Sequence, residues 1–306
     1  MLIKRILFSV FVAAVTAGLT HFAFSVAATY MMTSYDTRIF DVREFPDGGD
    51  YGALVGGYLQ SRGIRDKTVV AGSSFMFGYP YAAELSAPAL LGTDTINASI
   101  IGLGLQGVRT IIVCEMRKRN LRASRMVIEA PLINEIAALK RRNQPSSGCD
   151  ETSPDSPTLL EFALETPIGL QWVDFLTDRY REAKSGTIAV GTVPDDYFAT
   201  PEQFASAKDE LRARMADTYT LAGEVSDEAY IFVTPVYIPG VAEAGRDAEN
   251  VRHQFDFAQS ACVEIAGDRC IRTDTMLEEP AYFSNLTHLG SDGAAYLARL
   301  VKSRFQ

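Results

Sequence analysis

The stretch Val69-Val70-Ala71-Gly72-Ser73-Ser74-Phe75-Met76-Phe77-Gly78 carries the strongest fold signal in this chain. An apolar run suited to a buried parallel strand stops at Gly72. Two hydroxyl residues follow, and Phe75, Met76 and Phe77 then begin what reads as a helix. A serine at such a junction sits at the carboxyl end of a strand, where open α/β sheets place their ligands. An ordinary loop whose serine caps a helix gives the same string. The far end of the chain has to discriminate between the two.

Working outward, the sequence alternates strand-like and helix-like segments. A short amphipathic helix over Tyr51 to Gln60 precedes the strand Thr68 to Ala71. Thr95 to Ser99 reads as a second strand, Val108 to Arg117 as a helix, and Arg125 to Ala130 as a strand closed by Pro131. The order strand, helix, strand, helix, strand predicts a parallel, doubly wound sheet. Asn143 to Pro157 is rich in Pro, Ser and Gly and reads as an exposed loop. Thr158 to Lys184 and Pro201 to Leu221 carry apolar residues at helical spacing, so Gln144 to Gly223 is taken as an insertion capping the site. Alternation then resumes with a strand over Ala229 to Pro235, a helix over Asn250 to Ile265, a strand over Cys270 to Thr273 and a last helix over Ser291 to Phe305.

Composition excludes several classes. Hydrophobic residues make up 47% and charged residues 22%, as in a globular protein. Lys+Arg total 29 against 38 Asp+Glu, a net charge of −9, which argues against nucleic acid as a partner. The basic clusters Arg117-Lys118-Arg119 and Lys140-Arg141-Arg142 read as solvated helix faces. The 3 histidines have no metal-ligand spacing, and no metal or other cofactor is expected.

The N-terminus has its own logic. After Lys4 and Arg5 the chain runs from Ile6 to Met32 without an Asp, Glu, Lys or Arg. A bilayer-spanning helix needs roughly 20 apolar residues, so this segment is long enough. Lys4 and Arg5, with no further basic residue before Arg38, put the N-terminus in the cytoplasm and the body outside. Val26-Ala27-Ala28 offers the small residues of a signal-peptidase site. The apolar core from Ile6 to Val26 is nevertheless longer than the usual signal core of about 7–15 residues, which favours an uncleaved anchor. The 4 cysteines fit an oxidising compartment: Cys262 and Cys270 flank Gly267-Asp268 closely enough to pair, leaving Cys114 for Cys149.

The segment Tyr282-Phe283-Ser284-Asn285-Leu286-Thr287-His288-Leu289-Gly290 lies just before the last helix. Together with Gly72-Ser73-Ser74 and Asn97-x-Ser99-x-x-Gly102, it resembles the SGNH branch of the GDSL hydrolases. That resemblance implies a three-layer α/β/α, flavodoxin-like fold over residues 67–306, with a helical insertion at about 144–223. Residues 1–35 then form the N-terminal transmembrane anchor and 36–66 a linker with a short helix. It implies Ser74 as nucleophile, with Ser73 where the commonest motif has aspartate. It implies His288 as base, and an oxyanion hole made by Ser74, Gly102 and Asn134, although Pro131-Leu132-Ile133-Asn134 departs from the usual G-x-N-D. Asn285 stands where the family places the acid.

Those residue types suit acyl transfer on physical grounds. A serine hydroxyl needs a base within about 3 Å, and a neutral imidazole is tuned for that near pH 7. The tetrahedral intermediate needs N–H donors aimed at its oxyanion. Asn285 can accept a hydrogen bond from the ring but brings no charge, and in serine proteases the Asp→Asn change lowers turnover about 10⁴-fold. Three readings follow: a Ser-His dyad whose ring is oriented by a backbone carbonyl or by Asp292 or Asp274; a slow enzyme suited to transfer from a donor delivered by a partner; or a degenerate fold kept for binding. The expected function is an extracytoplasmic O-acyl esterase or transferase, acting on acetyl groups of an envelope or exported polysaccharide. The alternative is a non-catalytic subunit that binds glycan or scaffolds a polysaccharide assembly. Similarity to the membrane-anchored proteins of alginate O-acetylation and teichoic acid D-alanylation implies a multipass membrane acyltransferase as partner and an inner-membrane location with the body in the periplasm.

Overall fold

Alternation along each strand decides the layers. The computed structural model describes residues 8–9, 11–12, 15–16, 18–20, 23, 49–78, 85–100, 102–132, 149 and 198–305. Within them, β1 (Thr68–Ala71), β2 (Thr95–Asn97), β3 (Ala123–Ala130), β4 (Ser226–Val233) and β5 (Cys270–Ile271) form a five-stranded sheet of order β2-β1-β3-β4-β5. Every pairing is parallel. β1, β3 and β4 are buried along almost their whole length, the pattern of strands covered on both faces.

Successive side chains point to opposite faces. Val69, Ala71, Met126, Ile128, Ile231 and Val233 face one apolar layer. Val70, Val127, Tyr230, Phe232 and Ile271 face the other. Over the first lie α1 (Gly49–Arg62), the helical run of α4 (Leu105–Gly107), a π-helical stretch (Val108–Val113) and α5 (Cys114–Lys118), then α6 (Pro201–Glu224), α7 (Ile238–Glu243) and α8 (Ala248–Ala266). Over the second lie α2 (Ser74–Phe77), α3 (Ala87–Leu91) and α9 (Ser291–Lys302). The parallel α/β architecture and strand order are those of a flavodoxin-like sheet, in which the order reverses between β1 and β3.

The segment leading into β4 departs from the sequence reading. The helix expected over Pro201 to Leu221, within an insertion capping the site, spans Pro201–Glu224 and, among the described residues, is the helix of the β3–β4 crossover that leads directly into β4. Thr200 accepts the Gln203 N–H at 3.3 Å while Gln203 Oε1 accepts the Thr200 N–H at 2.9 Å, and Pro201 takes the first helical position. Phe204, Ala207, Leu211, Met215, Thr218, Leu221 and Ala222 form its buried stripe. Its apolar members share one cluster with Met126, Ile128 and Ile231 of the strands, so the helix packs on the sheet. Residues 144–148 and 150–197 of the expected insertion lie outside the described residues.

Both expected cystine bridges are present. Cys114 pairs with Cys149, and Cys262 of α8 pairs with Cys270 at the start of β5. The expected membrane anchor falls largely outside the described residues; among those described, no helix is long and apolar enough to cross a membrane.

Candidate active site

β1 ends at Ala71, and the chain turns into α2 through Gly72 and Ser73. Ser73 is the N-cap: its backbone is extended and its hydroxyl accepts the Phe75 N–H at 3.4 Å. Ser74 is therefore the first residue of the helix, half-exposed at the carboxyl edge of the sheet. First-turn N–H groups have no acceptor within their helix, and the Ser74 N–H has none among the described residues.

The base comes from the opposite end of the chain. Between the 3-10 turn Pro280–Tyr282 and α9, Phe283 bridges Leu289 antiparallel, and the Ser284 N–H donates to the His288 carbonyl at 2.9 Å. Inside this closed loop, Asn285 Oδ1 accepts the backbone N–H groups of Thr287 and His288, each at 2.9 Å. Two converging N–H donors require that atom to be the amide oxygen. The third group at the same oxygen, His288 Nδ1 at 3.0 Å, must then carry a proton. That leaves Nε2 as the acceptor, and it lies 2.9 Å from Ser74 Oγ, across 214 residues of sequence. Burial pushes the His288 imidazole down to about 4 from its ordinary 6.5. The ring is neutral near pH 7, the state in which it can take a proton from serine.

The three residues expected to form the catalytic line are thus one hydrogen-bonded chain, with Asn285 in the orienting place. Neither a backbone carbonyl nor a distant acid is needed for that role. Asp274 is engaged by Arg272, at 3.2 and 2.9 Å, and Asp292 lies in the first turn of α9.

The expected oxyanion donors are placed unequally. The loop after β2 runs beside the serine turn: Ala98 N–H donates to Val70 O at 2.8 Å and Ile100 N–H to Gly72 O at 2.9 Å. Gly102 follows two residues later, exposed and at a φ of 78°, a left-handed conformation that glycine adopts without strain. Asn134 lies outside the described residues. Asn97 has a structural task. Its amide donates to Met76 O at 3.2 Å and its oxygen accepts the Ser99 N–H at 3.0 Å, which ties the β2 loop to α2.

One polar residue escaped the sequence reading. Glu129, inside the apolar strand β3, is wholly buried and accepts from Ser73 N, Ser73 Oγ, Met76 N and Thr234 Oγ1. Its burial pushes the carboxyl up, and these hydrogen bonds act in the opposite direction. An acidic residue interrupting the apolar run Met126-Val127-Ile128 was the available signal. A separate cleft of about 530 Å³ opens by the first residues of β4, near Tyr219, Glu228 and Arg269, at the sheet edge opposite Ser74.

No family model matches the chain, and no curated protein is significantly similar to it. Several solved structures are. One is a mutant of an acetyl-xylooligosaccharide esterase from Geobacillus Stearmophilus, at 12% identity and a TM-score of 0.43, covering 78% of this chain and 93% of that one. Another is phospholipase A1 from Streptomyces albidoflavus NA297, at 11% identity and a TM-score of 0.43, covering 78% and 99%. A third, described as a lipolytic protein of the G-D-S-L family from Desulfitobacterium hafniense DCB-2, has 13% identity and a TM-score of 0.37, covering 78% and 99%.

Proposed function

We propose that this chain is an SGNH-type serine esterase or acyltransferase working on O-acyl, in particular O-acetyl, groups of an envelope or exported polysaccharide outside the inner membrane. The observation that carries the chemistry is the continuous line from Ser74 Oγ to His288 Nε2 and from His288 Nδ1 to Asn285 Oδ1. His288 Nε2 takes the hydroxyl proton as Ser74 Oγ attacks the acyl carbonyl. The former carbonyl oxygen becomes an oxyanion, for which the Ser74 N–H, the Gly102 N–H and the Asn134 amide are the expected donors. Collapse returns the proton from His288 to the departing alcohol and leaves an acyl-serine. Water, or a sugar hydroxyl, then gives its proton to the same nitrogen and attacks the acyl group, releasing acid or a new ester and restoring Ser74.

The extracytoplasmic location is supported by the run Ile6 to Met32, the Lys4/Arg5 flank and the paired cysteines. The glycan substrate and a multipass membrane acyltransferase as acyl source rest on the resemblance to the membrane-anchored proteins of alginate O-acetylation and teichoic acid D-alanylation. The test is acetyl-ester turnover by the purified full chain, with and without an acetylated or free oligosaccharide acceptor, against Ser74→Ala and His288→Ala. Activity at background level in both variants is expected, together with fluorophosphonate labelling that depends on Ser74. Equal rates in wild type and Ser74→Ala would remove the serine from the mechanism. The uncharged Asn285 favours one rival, a glycan-binding subunit without catalysis; oligosaccharide binding that survives both substitutions, with no labelling of the wild type, would establish it.

A further inference from the structure

We propose that Glu129 is the positioning residue of the nucleophile, a carboxylate delivered from the neighbouring strand that holds Ser74 from both sides and fills the role of an acid at position 73. This rests on Ser74 being the nucleophile. A single atom, Glu129 Oε2, accepts the Ser73 N–H at 2.7 Å and the Met76 N–H at 3.2 Å. One of these groups precedes Ser74 in the chain and the other follows it, so the backbone on either side of the nucleophile is fixed to one point. The second oxygen, Oε1, accepts the Ser73 hydroxyl at 2.5 Å and the Thr234 hydroxyl at 2.9 Å.

The register shows how the group gets there. Ala71 pairs with Ile128, so Gly72 lies beside Glu129, and a Cβ on Gly72 would strike its carboxylate. Glu129 pairs with Phe232 on the side of the sheet that carries α2, among Val127, Phe75 and Met76. Placing a carboxylate in such a layer is costly unless its lone pairs are filled. Four donors fill them here, and replacing the group by an apolar one would leave the Ser73 and Met76 N–H groups without acceptors.

Ser73 follows from the same geometry. The Gly72-Ser73-Ser74 turn has a hydroxyl at 73 that donates to Glu129 and accepts from Phe75. An aspartate at 73 could cap the helix as well, but it would bring two carboxylates into contact. An amide at 129 would resolve that conflict. Its oxygen can take the two N–H groups now on Oε2, and its NH₂ can donate to an acid at 73 and to Thr234 Oγ1, which already lies 3.2 Å from the Ala130 carbonyl as an alternative acceptor.

The experiment compares wild type, Glu129→Ala, Glu129→Gln, Ser73→Asp and the double variant Ser73→Asp/Glu129→Gln. Fluorophosphonate labelling rate, kcat, KM and thermal midpoint are read for each, with Ser74→Ala as reference. Misplacing the hydroxyl by about 1 Å costs on the order of 10²-fold, so Glu129→Ala and Ser73→Asp are each expected to lower kcat and labelling by about that factor with KM nearly unchanged. Glu129→Gln, which keeps the number of hydrogen bonds, is expected to stay within about tenfold of wild type. Adding it to Ser73→Asp is expected to recover at least about tenfold. That rescue separates positioning from general stability, and it decides the matter if Glu129→Ala does not fold. Wild-type labelling in folded Glu129→Ala, or a double variant no better than Ser73→Asp, overturns the inference while Ser74 stands. Labelling that survives Ser74→Ala overturns both.

Discussion

His288 Nδ1 lies 3.0 Å from an Asn285 oxygen that also accepts the backbone N–H of His288 itself. The orienting residue and the base therefore hold each other through side chain and main chain together, and the tautomer is fixed without a charge. What an amide cannot supply is stabilisation of the imidazolium formed when Ser74 is deprotonated. Asn285→Asp should restore it. The carboxylate favours the charged ring, so the acidic limb of kcat/KM is expected to move upward and kcat to rise by about tenfold or more, against the ~10⁴-fold loss known for the reverse change in a complete triad. A pH–rate profile of the variant unchanged from wild type would show that Asn285 does not act on the ring.

In the wild type the limb should lie low. Burial disfavours the charged imidazole, so its pKa falls to about 4. The ring acts as a base only when neutral. Activity is expected to be flat across pH 5.5–7 and to fall toward half at about 4, as the ring takes up a proton. A limb near 6.5 in steady-state kinetics would mean that the imidazole is solvated in the free enzyme.

Gly72→Ala should damage both stability and chemistry. The added methyl meets the Glu129 side chain, which is wholly buried and cannot swing away. Overpacking of this kind costs about 1–3 kcal/mol. A lower melting temperature accompanied by slower labelling of Ser74 is expected. A variant as stable and as reactive as wild type would mean that β1 and β3 separate more readily than their register implies.

The two disulfides should contribute unequally. Cys114 and Cys149 are separated by 35 residues, and closing such a loop is worth about 4 kcal/mol in the chain-entropy picture. The Cys262–Cys270 loop spans 8 residues, for about 2.5 kcal/mol. Denaturant titrations of Cys114→Ser/Cys149→Ser and Cys262→Ser/Cys270→Ser should rank in that order, and the reverse ranking would show that loop length does not set their contributions.

The elements that were legible in the sequence are those governed by a strong local pattern. Thr68 to Ala71 is apolar throughout and stops at a glycine, and it became β1 as expected. The order of Ser74, Gly102, Asn285 and His288 could be read because each precedes or follows a recognisable strand or helix. The layer of the helix from Pro201 was not legible, because amphipathic periodicity shows that a helix buries one face, not which layer it is buried against. The π-helical stretch Val108–Val113 has no sequence signature distinct from an α-helix of the same residues. The role of Glu129 is hidden in the sequence for a related reason. Its partners are 53 to 105 residues away in the chain, and only the strand register reveals that one acid meets Ser73, Met76 and Thr234.

The layer that supports the site joins the two halves of the chain. Phe75 and Met76 of α2, with Ala87 and Leu91 of α3, pack in one cluster with Ala294, Leu297 and Val301 of α9. His288 sits immediately before that last helix. During synthesis, which proceeds at about 5–20 residues per second from the N-terminus, Ser74 is made long before its base. The serine is thus a bystander on the growing polypeptide, and it meets its base only when His288 and α9 have left the ribosome and docked. A chain in which α9 fails to dock would keep its five strands and leave the Asn285–His288 loop without the helix that follows it.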